Sequence, residues 1–136
     1  MIYLQDKLVK KDVETDTYVI NPNANGQGIG HLTILESEGT PQQEYPLYEG
    51  IIIVGRKAKT SMANICIQTN DKTMSRNHLR IEVKSRENGG YVHYLSDNNS
   101  KNKTMYNGEF IGSDDVVVLK DNDEIIIGRT VLRFNL

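Results

Sequence analysis

Three short stretches, far apart in the chain, carry side chains suited to holding an anion. Gly55-Arg56 ends a fully apolar run at an arginine. Ser75-Arg76-Asn77-His78 stands directly before an alternating run that begins at Leu79. Ser100-Lys101-Asn102-Lys103-Thr104 leads to the pair Asn107-Gly108. Each joins a strand end to anion-compatible donors. Each also has an ordinary structural reading when taken singly: Arg56 as a solvated strand-end charge, Ser75 as a turn residue, Lys101 and Lys103 as loop solubilisers. The charge distribution bears on the choice. The chain carries a net charge of −2, but residues 56–103 hold 10 basic and 4 acidic side chains, against 3 and 8 in residues 1–55. Such a block is either a solvated face or a local anion site on an otherwise acidic protein. The net balance is wrong for bulk attraction to nucleic acid or to an acidic membrane, and no aromatic platform accompanies the basic block.

Catalytic chemistry has no visible foothold. There is no glycine-rich phosphate loop ending in Lys-Ser/Thr, no His-Glu-x-x-His and no Gly-x-Ser-x-Gly. His31, His78 and His93 lack metal-ligand spacing, and the single Cys66 excludes an intramolecular disulfide and a cysteine-based metal cluster. We therefore expect no enzyme activity, no cofactor and no metal. Cys66 lies in an alternating apolar stretch and reads as a buried or half-buried inert thiol. His93, between tyrosines, reads as a surface packing residue. The first residues lack the apolar stretch of a signal peptide, no run approaches the roughly 20 residues of a membrane span, and a reducing cytoplasm is the expected compartment.

The elements that position these residues read as strands. Val, Ile and Thr total 33 against 3 Ala, and Gly, Asn and Asp total another 33. β-branched side chains favour pleated sheets and the second group forms turns, so the chain is expected to be all-β. Asn21–Gly30 (NPNANGQGIG) is a linker signal, which divides the 136 residues into an arm or linker over 1–30 and one domain over 31–136. From His31 onward about ten short strands recur with turns between them, the pattern of a sandwich or barrel. Leu79, Ile81 and Val83 alternate with Arg80, Glu82 and Lys84. The continuous runs Ile51–Val54 and Ile125–Ile127 suit strands buried on both faces. Glu87–Gly90 and Asn107-Gly108 are hairpin signals.

Taken together and in order, the three stretches resemble the forkhead-associated (FHA) domain family, whose pattern is Gly-Arg, Ser-x-x-His, Ser-x-Asn-Gly-Thr-x-x-Asn-Gly and Leu-x-x-Gly-Asp-x-Ile-x-x-Gly. Gly55-Arg56, Ser75 and His78, then Ser100, Asn102, Thr104, Asn107 and Gly108 fall in register, followed by Leu119, Asp123, Ile125 and Gly128, with Phe134 in the last strand. Two residues depart: Lys103 and Asn122 stand where the family has Gly. Asn tolerates the left-handed backbone better than most residues.

The resemblance implies a twisted sandwich of two antiparallel sheets with about eleven short strands, and recognition of phosphothreonine in a partner protein. It implies that Arg56, Ser75, Arg76 and Lys101 hold the phosphate and that Asn102 grips the peptide main chain. It gives Gly55, His78, Thr104 and Asn107 supporting roles. Some relatives carry an arginine two places before the serine to favour an acidic residue downstream of the phosphothreonine; Thr73 stands there, so no strong acidic preference is expected. The alternative is an assembly protein on the same fold, its interactions independent of phosphate, and Lys103 is the residue that favours it. A weaker expectation is that the arm, phosphorylated at Thr15 or Thr17, occupies the site in cis. A plain meander would place Arg56 and the Ser75 loop at opposite ends of the strand between them; the resemblance, not the strand pattern, brings them together.

Overall fold

The computed structural model describes residues 29–136. The expected arm over 1–30, with Thr15 and Thr17, lies outside the described residues apart from Ile29 and Gly30. Eleven strands follow, numbered here β1 (His31–Ile34), β2 (Gln43–Pro46), β3 (Gly50–Arg56), β4 (Ile65–Ile67), β5 (Leu79–Ser85), β6 (Tyr91–Asp97), β7 (Thr104–Tyr106), β8 (Glu109–Ile111), β9 (Val117–Val118), β10 (Asp123–Ile127) and β11 (Thr130–Asn135). They form a five-stranded sheet, β9-β6-β5-β3-β4, and a six-stranded sheet, β2-β1-β11-β10-β7-β8. No helix occurs among the described residues. The fold is an all-β sandwich.

Alternation decides which side chains meet between the sheets. Leu79, Ile81 and Val83 of β5 are buried, while Arg80 and Glu82 face out and pair at 3.3 Å. Leu132 and Phe134 of β11 and Leu32 and Ile34 of β1 are fully buried from the other layer. The runs Ile51–Val54 and Ile125–Ile127 were expected to be buried on both faces and are not. Ile52 and Val54 point inward while Ile51 is 52% exposed; Ile125 and Ile127 are buried and Ile126 is only partly covered. A two-layer sandwich gives each sheet one inner face and no outer layer to cover the other.

His93 also differs from expectation. It lies on the inward face of β6 with Leu95, is buried, and stacks tilted against Phe134 with ring centroids 4.7 Å apart. Its Nε2 donates to the carbonyl of Ile29, which satisfies the polar edge of an otherwise apolar site. Cys66 is half-buried, with Sγ 3.3 Å from the Ala63 carbonyl.

Strand direction matters most at β4. It pairs with β3 in parallel, with Val54 opposite Ile65 and Arg56 opposite Ile67. The chain therefore leaves β4 at the same end at which it left β3. It then re-enters at β5, antiparallel to β3, with Val54 opposite Leu79. Arg56 and residues 75–78 thus share one end of the sheet. The meander geometry would have separated them.

The edges of the two sheets are fastened by a side chain that imitates a strand. Gln43 of β2 accepts the Gln68 N–H at 2.9 Å and donates to the Gln68 carbonyl at 3.0 Å, and Tyr45 Oη donates to the same Gln43 oxygen at 2.7 Å. This occupies main-chain groups just beyond the edge strand β4, where another chain would otherwise pair. Gln43→Ala is expected to lower stability by about 1–2 kcal/mol, read as a shift in the urea midpoint; an unchanged midpoint would show that the bridge contributes nothing net.

Candidate anion-binding site

The loop from Asp71 to His78 is the hub of the shared end. Its main chain runs directly over Gly55. A Cβ on Gly55 would lie 2.0 Å from the Arg76 carbonyl oxygen and 2.8 Å from that of Ser75, so only glycine fits. This close approach lets the Arg56 N–H donate to the Ser75 carbonyl at 3.0 Å and Arg56 Nε donate to the Met74 carbonyl at 3.0 Å. One guanidinium N–H is spent on orientation. The two Nη groups have no partner among the described residues.

His78 ties the second loop to the third. It is fully buried. Its Nδ1 accepts the Ser75 N–H at 2.9 Å, so the ring proton sits on Nε2, which donates to the Lys103 carbonyl at 2.7 Å. Further bonds repeat the link: Lys101 N–H to Ser75 Oγ at 3.0 Å, Asn102 Nδ2 to the Thr73 carbonyl at 2.9 Å, and Asn98 Nδ2 to the Asn77 carbonyl at 3.1 Å. Because Ser75 Oγ accepts from Lys101, its own O–H remains available as a donor. Asn102 uses one donor as a brace, while its Oδ1 has no partner among the described residues.

Two carboxylates that the sequence reading passed over hold these loops. Asp97 accepts from Ser100 N–H at 2.9 Å, Ser100 Oγ at 2.5 Å and Thr104 Oγ1 at 2.7 Å. Asp71 accepts from Thr73 N–H and its hydroxyl on one oxygen, and from Arg129 N–H at 2.7 Å and Thr130 Oγ1 at 2.8 Å on the other. Burial works against the charge of each, yet these hydrogen bonds outweigh it and hold both carboxyls below their ordinary value. A signal was present for Asp97: Asp side chains bond nearby main-chain N–H groups in turns, and the turn-forming run Asn98-Asn99-Ser100 follows it directly. Asp71 had no such cue for its bonds to Arg129 and Thr130, which come from the other sheet.

The structure therefore places Gly55, Arg56, Ser75, Arg76, His78, Lys101, Asn102 and Thr104 together. Asn107 does not join them. It sits in the β7–β8 turn, at the far end of β7 from Thr104, roughly 10 Å along the strand at about 3.3 Å per residue. There its side chain bonds Asp123 Oδ1 at 3.0 Å and the Glu124 N–H at 2.8 Å, with φ of 47°. Its asparagine chemistry serves a tight turn between strands of the six-stranded sheet. Thr73 braces the hub through its hydroxyl and carbonyl and offers no charge to a ligand.

Charge separates cleanly at this end. The carboxylates of Asp71 and Asp97 are buried and consumed by neutral donors, while Arg76, Lys101 and Lys103 are exposed. The ion pairs among the described residues, Arg80–Glu82, Lys84–Glu82 and Arg133–Glu124, lie elsewhere. A cluster of cationic side chains with no carboxylate partner among the described residues is chemically fitted to an anion that accepts several hydrogen bonds.

Lys103 has φ of 70° and Asn122 has φ of 74°, both left-handed. Both positions thus keep a backbone that glycine would adopt freely. An L residue there costs roughly 1–2 kcal/mol, part of which glycine's extra chain entropy takes back. Lys103→Gly is therefore expected to raise stability by about 0.5–1 kcal/mol in a urea titration. A lower midpoint would mean that the lysine side chain contributes more than its backbone costs.

Burial pushes the His78 imidazole below its ordinary value, although the Lys103 carbonyl and the charges of Asp97 and Asp71 pull the other way. Burial does the same to His93, opposed by the Ile29 carbonyl. The unfolded chain then accepts protons near pH 6.5 that the folded chain refuses. Stability from these histidines is complete above about pH 6.5 and is lost as pH falls through that value toward the lower folded pKa. The urea midpoint is expected to be lower at pH 5.5 than at pH 7.5; equal midpoints would contradict this account of their burial.

Comparison with known proteins bears on the same residues. The FHA domain family model matches residues 52–128. An FHA domain solved in a study of phosphothreonine-dependent FHA domain interactions is 27% identical, with a TM-score of 0.61 over 79% of this chain and 95% of its own. The FhaA FHA domain, complexed with the intracellular domain of Rv3910, is also 27% identical, with a TM-score of 0.61 over 78% and 99%. The Slr1951 protein from Synechocystis sp. is 25% identical, with a TM-score of 0.64 over 79% and 97%. No curated protein matches the sequence.

Proposed function

The chain belongs to the FHA family, and from that premise we propose that it is a phosphothreonine-dependent protein-binding module. The matches are to a binding family and not to a catalytic one. The observation that carries the reading is the convergence of Arg56, Ser75 and the 101–103 loop through the bonds from Arg56 to Met74 and Ser75 and from Lys101 to Ser75.

Phosphothreonine carries roughly −1.5 to −2 charge at pH 7 and three acceptor oxygens. Arg56 presents its remaining guanidinium donors as a planar fork that cannot lose its charge. Ser75 adds a short neutral donor whose direction is set by the Lys101 amide. Arg76 and Lys101 add charge at the rim. Asn102, with a carbonyl oxygen unpartnered among the described residues and an anchored amide nitrogen, is placed to bond an extended peptide main chain and fix its register. An FHA domain of similar sequence comes from work on phosphothreonine-dependent interactions, which supports the same ligand here.

The competing reading is an assembly domain blind to phosphate, and Lys103 was its ground. The left-handed backbone at Lys103 keeps the loop conformation that glycine would give, and its carbonyl keeps the bond to His78. That weakens the ground. A phosphopeptide array set against its dephosphorylated twin separates the two readings.

Truncating one side of a desolvated charged pair costs about 2–5 kcal/mol. Arg56→Ala is therefore expected to weaken a phosphothreonine peptide roughly 30-fold or more in calorimetric titration, since about 1.4 kcal/mol is tenfold. Binding is also expected to fade below about pH 6, where the phosphate loses its second charge. Equal affinity for wild type and Arg56→Ala would remove Arg56 from the site.

A further inference from the structure

The excursion between β3 and the parallel strand β4 carries its own chemistry. Residues 57–64 lie outside any strand, and their tip stands clear of the sheets, with Met62 83% exposed. Thr60 is exposed in a turn there, and its Oγ1 accepts a hydrogen bond from Arg76 Nη1 at 2.5 Å. Arg56, Lys57 and Lys59 precede it at the fourth, third and first positions upstream, and residues 56–70 contain no Asp or Glu. An accessible hydroxyl in a cationic, acid-free segment is the charge pattern that basophilic protein kinases select.

We propose that Thr60 is a phosphorylation site, that its phosphate is captured by Arg76, and that this closes the anion site to a partner. In the transfer, the Thr60 oxygen forms a bond to the γ-phosphorus of ATP, the bond from that phosphorus to the β–γ bridging oxygen breaks, ADP leaves, and the hydroxyl proton passes to the kinase's base. The receiving partner is already in place. A neutral acceptor at 2.5 Å from Arg76 becomes a doubly charged one, and a single hydrogen bond becomes a charge-assisted ion pair. Arg76 also belongs to the hub loop, one residue after Ser75, so a phosphate held on it sits at the rim of the same cationic end. Within a Debye length of about 8–10 Å, it repels a second phosphate and removes one of the charges that would attract it. The closing half of this proposal rests on the phosphothreonine reading above; the capture by Arg76 does not.

The test has three arms on the full chain. First, a basophilic kinase with labelled ATP is expected to modify wild type at one site and to leave Thr60→Ala unlabelled. Second, phosphothreonine is encoded at position 60, and phosphorus NMR follows its second ionisation. The phosphate pKa is expected to lie below that of a phosphorylated 56–64 peptide, and to return to the peptide value in Arg76→Ala. Third, calorimetry with a phosphothreonine peptide is expected to show at least tenfold weaker binding to the chain phosphorylated at Thr60 than to the unmodified chain. Labelling that persists in Thr60→Ala, a phosphate pKa indifferent to Arg76, or equal peptide affinities would each overturn the proposal. An unmodified chain that binds no phosphopeptide would instead sink the phosphothreonine reading and with it the closing step, while the first two arms still judge the site.

Discussion

Two nitrogen atoms of one buried histidine hold the loops of the candidate site together. His78 accepts the Ser75 N–H on one side and donates its Nε2–H to the Lys103 carbonyl on the other. Each of those main-chain groups lies in a loop with no strand partner to satisfy it, and a buried amide or carbonyl left unpaired costs roughly 1–3 kcal/mol. The imidazole therefore does for two loops what a ladder does for two strands. It can do so only when neutral, which burial favours, and in the one tautomer that the Ser75 N–H and the Lys103 carbonyl select. The position of Ser75 relative to Lys101, and of both relative to Arg56, follows from that clamp.

The buried carboxylates complete the same logic from beneath. Asp97 gathers Ser100 and Thr104; Asp71 ties the hub loop to Arg129 and Thr130 of the opposite sheet. Both are satisfied by neutral donors, so neither neutralises the cations above them. Negative charge is spent on shape inside, and positive charge stays available outside. Had either carboxylate paired directly with Arg56 or Arg76, the loops would be equally well fastened but the candidate anion site would lose its charge.

The strand pattern was legible in the residues because alternation is local. Leu79, Ile81 and Val83 show their inward face without reference to any other strand, and Asn107-Gly108 announces a two-residue turn through the left-handed conformations that Asn and Gly tolerate (φ of 47° and 91°). Burial on both faces could not be judged in this way. Ile51–Val54 and Ile125–Ile127 look alike whether or not an outer layer covers them, and none does among the described residues. The burial of His93 escapes local pattern for the same reason: its cover comes from Ile29 and Phe134, 64 and 41 positions away in sequence.

What the sequence determined alone was the class of fold and the inventory of donors: β-branched runs, turn residues, and three cation-bearing loops in a fixed order. Their convergence, which no strand pattern gave and only the family resemblance implied, is made in the tertiary structure. The parallel pairing of β3 with β4 puts Arg56 and the Ser75 loop at one end, the missing Cβ of Gly55 lets that loop cross over it, and His78 closes the gap to Lys103. It also excluded Asn107, which the ordered motif had counted with the rest. The reason is physical. Strand direction and loop contact depend on partners tens of residues away, and no local preference of a residue encodes which end of a sheet its neighbour will reach.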